Sequence, residues 1–149
     1  VAEVWFYHLE RTGLDQALPE LLEKTLARGW RALVHSGERD RIEHLDGWLW
    51  TYKPDSFLPH GRADEANAER QPVLLSTSGE NKNQAQVLFV LDGTDPGALD
   101  GYARCLVLFD GRDEAAVANA RGRWKEVKAA GHDVAYWKQS EEGAWRKQA

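Results

Sequence analysis

The stretch CLVLFDGRDEAAVANARGRWKEVKAAGHDVAYWK, residues 105–138, decides the fold. Cys105 to Phe109 is an unbroken apolar run of strand length, the pattern of a strand buried on both faces. Asp110-Gly111 is a turn pair, and Glu114 to Ala130 then carries apolar residues at helical spacing until Gly131 stops it. Val134 to Lys138 reads as another strand. A strand, a long helix and a strand joined by short links return the chain to its starting edge, so the two strands run parallel.

The same alternation extends upstream. Val4 to His8 is a strand, and Thr12 to Asp15 can cap a helix whose Leu14, Leu18, Leu22 and Leu26 form an i, i+4 row. Pro19 falls near that helix start, where proline is tolerated, and Gly29 ends it. Trp30 to Val34 is a strand, and Arg39 to Leu49 a helix with Ile42, Leu45 and Leu49 on one face. Residues 51–71 read as irregular, Val73 to Leu75 and Val87 to Leu91 as strands, and residues 139–149 as a tail. With no repeat and no linker, this predicts one α/β domain over residues 1–149, a Rossmann-like sandwich with a largely parallel sheet.

Composition narrows the function. Apolar residues are 42% and charged residues 29%, as in a soluble globular chain. No apolar run nears the roughly 20 residues of a membrane span, and Val1 to Leu9 lacks the features of a secretory signal. A single cysteine, Cys105, cannot form an internal disulfide, which fits a reducing, cytoplasmic setting. The net charge of −5 argues against a general nucleic-acid binder. That charge is uneven: residues 1–111 hold 11 Lys/Arg against 18 Asp/Glu, whereas residues 112–149 hold 8 against 6. Seven tryptophans are far above ordinary usage and suit both a core and a protein-binding surface.

A nucleotide-binding fold needs a glycine-rich turn, but after the first strand the chain reads His8-Leu9-Glu10-Arg11-Thr12-Gly13, and no GxxxxGK[ST] occurs. His8, His35, His44, His60 and His132 lack metal-ligand spacing, and no Ser or Cys has an evident base partner. The sequence therefore implies no enzyme, no metal and no cofactor. The alternative is an unrecognised nucleotide-dependent enzyme using Asp92 and Asp110 at strand ends, although Asp-Gly turn chemistry explains both.

Two constellations read as binding surfaces. At 100° per residue, Val117, Ala120, Trp124 and Val127 share an arc of about 80°, with Lys128, Arg121 and Lys125 immediately beside it. An apolar stripe bordered by stacked cations suits an acidic peptide with a hydrophobic anchor: Arg121 can hold a carboxylate with two bonds while Trp124 walls a pocket. Long cationic stems at the border of an ordinary amphipathic helix give the same pattern. The second is Leu49-Trp50-Thr51-Tyr52 with Ser56-Phe57-Leu58-Pro59-His60-Gly61, a loop that either folds back on the sheet or presents Trp50 and Phe57 as anchors.

The runs VWFYHL (4–9), LPELLEKTLARGW (18–30), LWTYKPDSFLPHG (49–61), QPVLL (71–75) and ARGRWKEVKAAGHDVAY (120–136) together resemble the chi subunit family of bacterial DNA polymerase III. The resemblance implies a Rossmann-like fold without a nucleotide. It also implies a non-catalytic adaptor that binds the acidic C-terminal tail of single-stranded DNA-binding protein. In many bacteria such an adaptor links that protein to the clamp loader through the psi subunit. On this likeness Arg121 takes the tail's terminal carboxylate, Trp124 walls its pocket and Lys125 lends electrostatic support; the helix spacing adds Lys128 to the cations and Val117 to the apolar stripe of that tail-binding site. Trp50 and Phe57 correspond to the aromatic positions of a second partner surface, for psi or a helicase, to which the adjoining Leu58 and Pro59 are assigned. Residues 137–149 match less well, and Trp145 has no assigned role.

Overall fold

The computed structural model describes residues 2–53, 58–139 and 144–149. Its strands are β1 (Glu3–Leu9), β2 (Ala32–His35), β3 (His60–Arg62), β4 (Val73–Ser76), β5 (Val87–Val90), β6 (Arg104–Asp110), β7 (Asp133–Gln139) and β8 (Trp145–Lys147). The helices are α1 (Leu14–Ala27), α2 (Arg39–Thr51) and α3 (Glu114–Ala129). The strands form one sheet in the order β3-β4-β2-β5-β6-β1-β7-β8, parallel throughout except for the antiparallel β7–β8 pair. This is the Rossmann-like α/β architecture that the alternating periodicities predict.

Helices cover both faces. Leu18, Leu22, Ile42, Leu45 and Leu49 bring α1 and α2 against Val34, Phe89 and Leu108 on one face. On the other, α3 contributes Ala120, Val127 and the half-buried Trp124 against Phe6, Val107 and Phe109. Leu18, Leu22, Leu45 and Leu49 are fully buried, each stabilising the fold by roughly 1.5–3 kcal/mol relative to exposure. Asp113 caps α3 by accepting from the backbone N–H of Ala115 at 3.0 Å and of Ala116 at 3.4 Å. Gly29 and Gly131 end α1 and α3 with φ of +80° and +91°, a conformation that side-chain-bearing residues rarely adopt.

Pro19 lies within α1, where it has no N–H for the carbonyl of Asp15 four residues earlier. The indole Nε1–H of Trp48, on α2, donates to that oxygen at 2.7 Å, so the two helices are joined where proline breaks the ladder.

The tryptophans are largely structural. Across one face run Trp145, Tyr7, Trp137 and Trp5, with ring centroids 4.8, 6.2 and 5.5 Å apart in turn. The Arg104 guanidinium lies 3.9 Å over Trp5 and 5.4 Å from the ring of Trp30, and Arg28 stacks 4.1 Å over the same Trp30.

Two segments differ from the reading of the sequence. His60–Arg62, within the stretch read as irregular, pairs with β4 as an edge strand, and Ala68–Arg70 forms a 3₁₀ turn. In the expected tail, Gln139 completes β7, and Trp145–Lys147 adds β8 beside it. Trp145 anchors β8 by packing edge-on against Tyr7. Neither strand has the alternating apolar pattern of a half-buried strand, because each is a three-residue edge held by one neighbour.

Candidate functional site

The face of α3 turned towards β7 gathers the expected residues. Ala120 and Val127 are buried and Val117 and Trp124 half-buried, while Arg121, Lys125 and Lys128 are exposed beside them. Trp124 packs against Phe6, with centroids 5.5 Å apart, and edge-on against Tyr136 of β7, at 6.1 Å. Two arginines two residues apart, about 200° around the helix, behave differently. Arg123 is 16% exposed and pairs with Glu126 at 3.2 Å and Asp95 at 3.6 Å. Among the described residues, Arg121, Lys125 and Lys128 have no carboxylate in ion-pairing range. Arg121 thus offers a guanidinium unengaged by any described acid, next to an indole and a phenol.

Tyr136 and the residues behind it were not singled out by the sequence. Burial raises the Tyr136 phenol above its ordinary value, the nearby Arg121 cation opposes that rise, and Glu10 adds to it. The phenol hydroxyl lies 2.5 Å from His8 Nδ1. His8 Nε2 in turn lies 3.3 Å from a Glu10 carboxylate oxygen, and Lys138 Nζ reaches the other oxygen at 3.8 Å. His8 is buried edge-on to Phe109 under the β6–α3 turn. A Cβ on Gly111 would sit 2.0 Å from His8 Nε2, so glycine is required there by space. Strand parity puts His8 with Phe6 and Tyr136 with Val134, all on the α3 face. That signal becomes readable only once β1 and β7 are known to be neighbours.

The second constellation is only partly assembled. Trp50, on the last turn of α2, is 53% exposed, and its ring lies 4.9 Å from that of His60. Pro59 is exposed as well. Leu58 is instead 2% exposed and belongs to the core, because the loop folds back there and His60 Nδ1 lies 2.7 Å from the Leu58 carbonyl oxygen. Leu58 therefore supports this surface from beneath rather than forming it. Phe57 lies outside the described residues.

A crevice of about 860 Å³ opens at the strand ends between β1 and β6, where α1 and α3 leave for opposite faces. Its charged lining is Asp15, Glu38, Asp92, Asp110 and Asp113 with Arg41 and Arg112. Asp92 accepts from Ser36 Oγ at 2.7 Å and is gripped by Arg41 through Nε and Nη2, each at 3.1 Å. The backbone N–H of Arg112 donates to Asp110 and holds its carboxyl below the usual range. Both carboxylates thus serve turns and loops, and a predominantly acidic lining disfavours phosphate.

Comparison with known proteins identifies the group to which this architecture belongs. The chain belongs to the DNA polymerase III chi subunit family (HolC), which it matches over residues 1–135. It is 30% identical over 120 residues to DNA polymerase III subunit chi of Pseudomonas aeruginosa, covering 80% of this chain and 82% of that one. Identity is 24% over 107 residues to the subunit chi of Haemophilus influenzae, with 71% and 74% covered. A probable subunit chi of Rickettsia prowazekii is 28% identical over 89 residues, which span 60% of this chain but 54% of the relative. Each of these relatives is named as subunit chi of DNA polymerase III. No described helix is long and apolar enough to cross a membrane.

Proposed function

We propose that this chain is a non-catalytic replisome adaptor in the cytoplasm. It binds the acidic C-terminal tail of single-stranded DNA-binding protein and links it to the clamp loader, through psi where that subunit exists. The observation that carries this reading is the contrast on α3: Arg123 is consumed by two carboxylates, whereas Arg121 is left unengaged among the described residues beside Trp124 and Tyr136. A guanidinium held next to aromatic surface supplies charge-assisted hydrogen bonds to a terminal carboxylate and a wall for an apolar last residue. Lys125 and Lys128 extend the positive potential, and Val117 the apolar floor. Trp50, with Pro59, is the proposed anchor of the second partner, psi or a helicase, since large exposed indoles are enriched at interfaces.

Calorimetric titration of an acidic peptide ending in a free carboxylate tests the reading. Arg121→Ala should weaken binding by roughly ten- to a hundredfold, the loss of about 1.5–3 kcal/mol expected for a charge-assisted contact. Amidating the peptide terminus should do the same to the wild type, while Trp50→Ala should leave the titration unchanged. Equal affinity for wild type and Arg121→Ala at moderate salt would overturn the assignment.

A further inference from the structure

The cationic surface does not end at α3. Successive side chains of a strand alternate between faces, so Lys138 lies on the same side of β7 as Tyr136, the side covered by α3. The β7–β8 register sets Arg146 directly opposite Lys138, on that same face. The neighbouring position of the register pairs Gln139 with Trp145, and Trp145 turns to the opposite face to pack on Tyr7. The indole thus fixes which way Arg146 points. From Tyr136 the path to Lys138 is one two-residue strand step of about 7 Å, and from there to Arg146 one strand spacing of about 5 Å. Arg146 is exposed, and the Lys138 side chain is 43% exposed, with Glu10 at 3.8 Å the one acid in ion-pairing range among the described residues. Both residues lie beyond residue 135, where the match to the family ends.

We propose that the β7–β8 ribbon is a second contact surface of the Arg121 site: Lys138 and Arg146 take the acidic stretch that precedes the carboxylate held at Arg121. This rests on the carboxylate-binding reading of Arg121. The occupant is one extended acidic segment running from α3 across the two strands, chosen because its charge complements a strip continuous with that site. Exposed cations of this kind act mainly through long-range attraction, so their contribution should fade with salt more steeply than the anchoring at Trp124.

The test compares two synthetic peptides with the same free C-terminal residues, one carrying several aspartates upstream and the other asparagines in their place. The Lys138→Glu/Arg146→Glu protein should bind the aspartate peptide about tenfold more weakly at low salt, with a shallower salt dependence, and the asparagine peptide as wild type does. Arg121→Ala should weaken both peptides. Unchanged binding of the aspartate peptide by the doubly reversed protein, or equal loss for both peptides, would overturn the ribbon's role while leaving Arg121 in place. Full binding by Arg121→Ala would instead remove the reading on which it rests. Should the reversed protein melt early, Lys138→Gln/Arg146→Gln gives the same comparison with smaller loss and the charge pattern neutralised.

Discussion

Trp48 donates its indole N–H to the carbonyl of Asp15, the acceptor left without a helical partner by Pro19. The proline and the tryptophan are therefore one feature. Trp48→Phe should cost about 1 kcal/mol by removing that hydrogen bond. In a Pro19→Ala background the helix can satisfy the carbonyl itself, so the cost of Trp48→Phe should shrink towards zero. A double-mutant cycle by urea unfolding measures the coupling, and additive costs would contradict the linkage.

Gly111 sits against the buried ring of His8 with no room for a methyl group. Gly111→Ala should destabilise the domain by about 1–3 kcal/mol through overpacking, seen as a lowered urea midpoint. His8→Ala makes the space, so in that background the added methyl should cost much less. Equal penalties in both backgrounds would place the cause in the backbone.

Burial pushes the Cys105 thiol and the Tyr7 phenol each up to about 12, from ordinary values of 9.0 and 10.0. The folded chain keeps both protons while the unfolded chain releases them. The stability they lend is therefore complete below pH 9 and is lost as pH rises towards 12. Cys105 should contribute about 1.4 kcal/mol per pH unit to the decline above pH 9, and Tyr7 should add about as much again above pH 10. Urea midpoints measured from pH 8 upwards check the slope, and Cys105→Val should delay its onset. Native Cys105 should also resist alkylation at pH 8 until the chain unfolds.

Arg104 is held between Trp5 and Trp30 with its Nε buried and unpaired among the described residues. Arg104→Met keeps much of the stem packing but loses the stacked cation, which should cost on the order of 1 kcal/mol. Tryptophan emission should shift as the indoles lose their charged neighbour. No change in either stability or emission would mean that the stack is only a coincidence of packing.

The two orders of organisation in this chain have different origins. The strand–helix–strand reading of residues 105–138, and with it the parallel α/β class, came from apolar spacing, which is written within a window of a few turns. The grouping of Val117, Trp124, Arg121, Lys125 and Lys128 was legible for the same reason, since a helix fixes which residues share a face. Which of Arg121 and Arg123 is unengaged by a described acid was not legible: Glu126 is close in sequence, but Asp95 reaches Arg123 from a distant loop.

Strand order was decided only by the packed molecule. The placing of β1 between β6 and β7 brings His8 to Tyr136 across 128 positions, and no local pattern records a pairing of that range. The burial of Leu58 and the addition of β3 and β8 belong to the same category, because a short edge strand is selected by its neighbour rather than by its own residues. Local periodicity determined the helices, the buried strands and one face of the candidate site; contacts between distant segments supplied the edge strands and set the phenol and imidazole of Tyr136 and His8 beside that face.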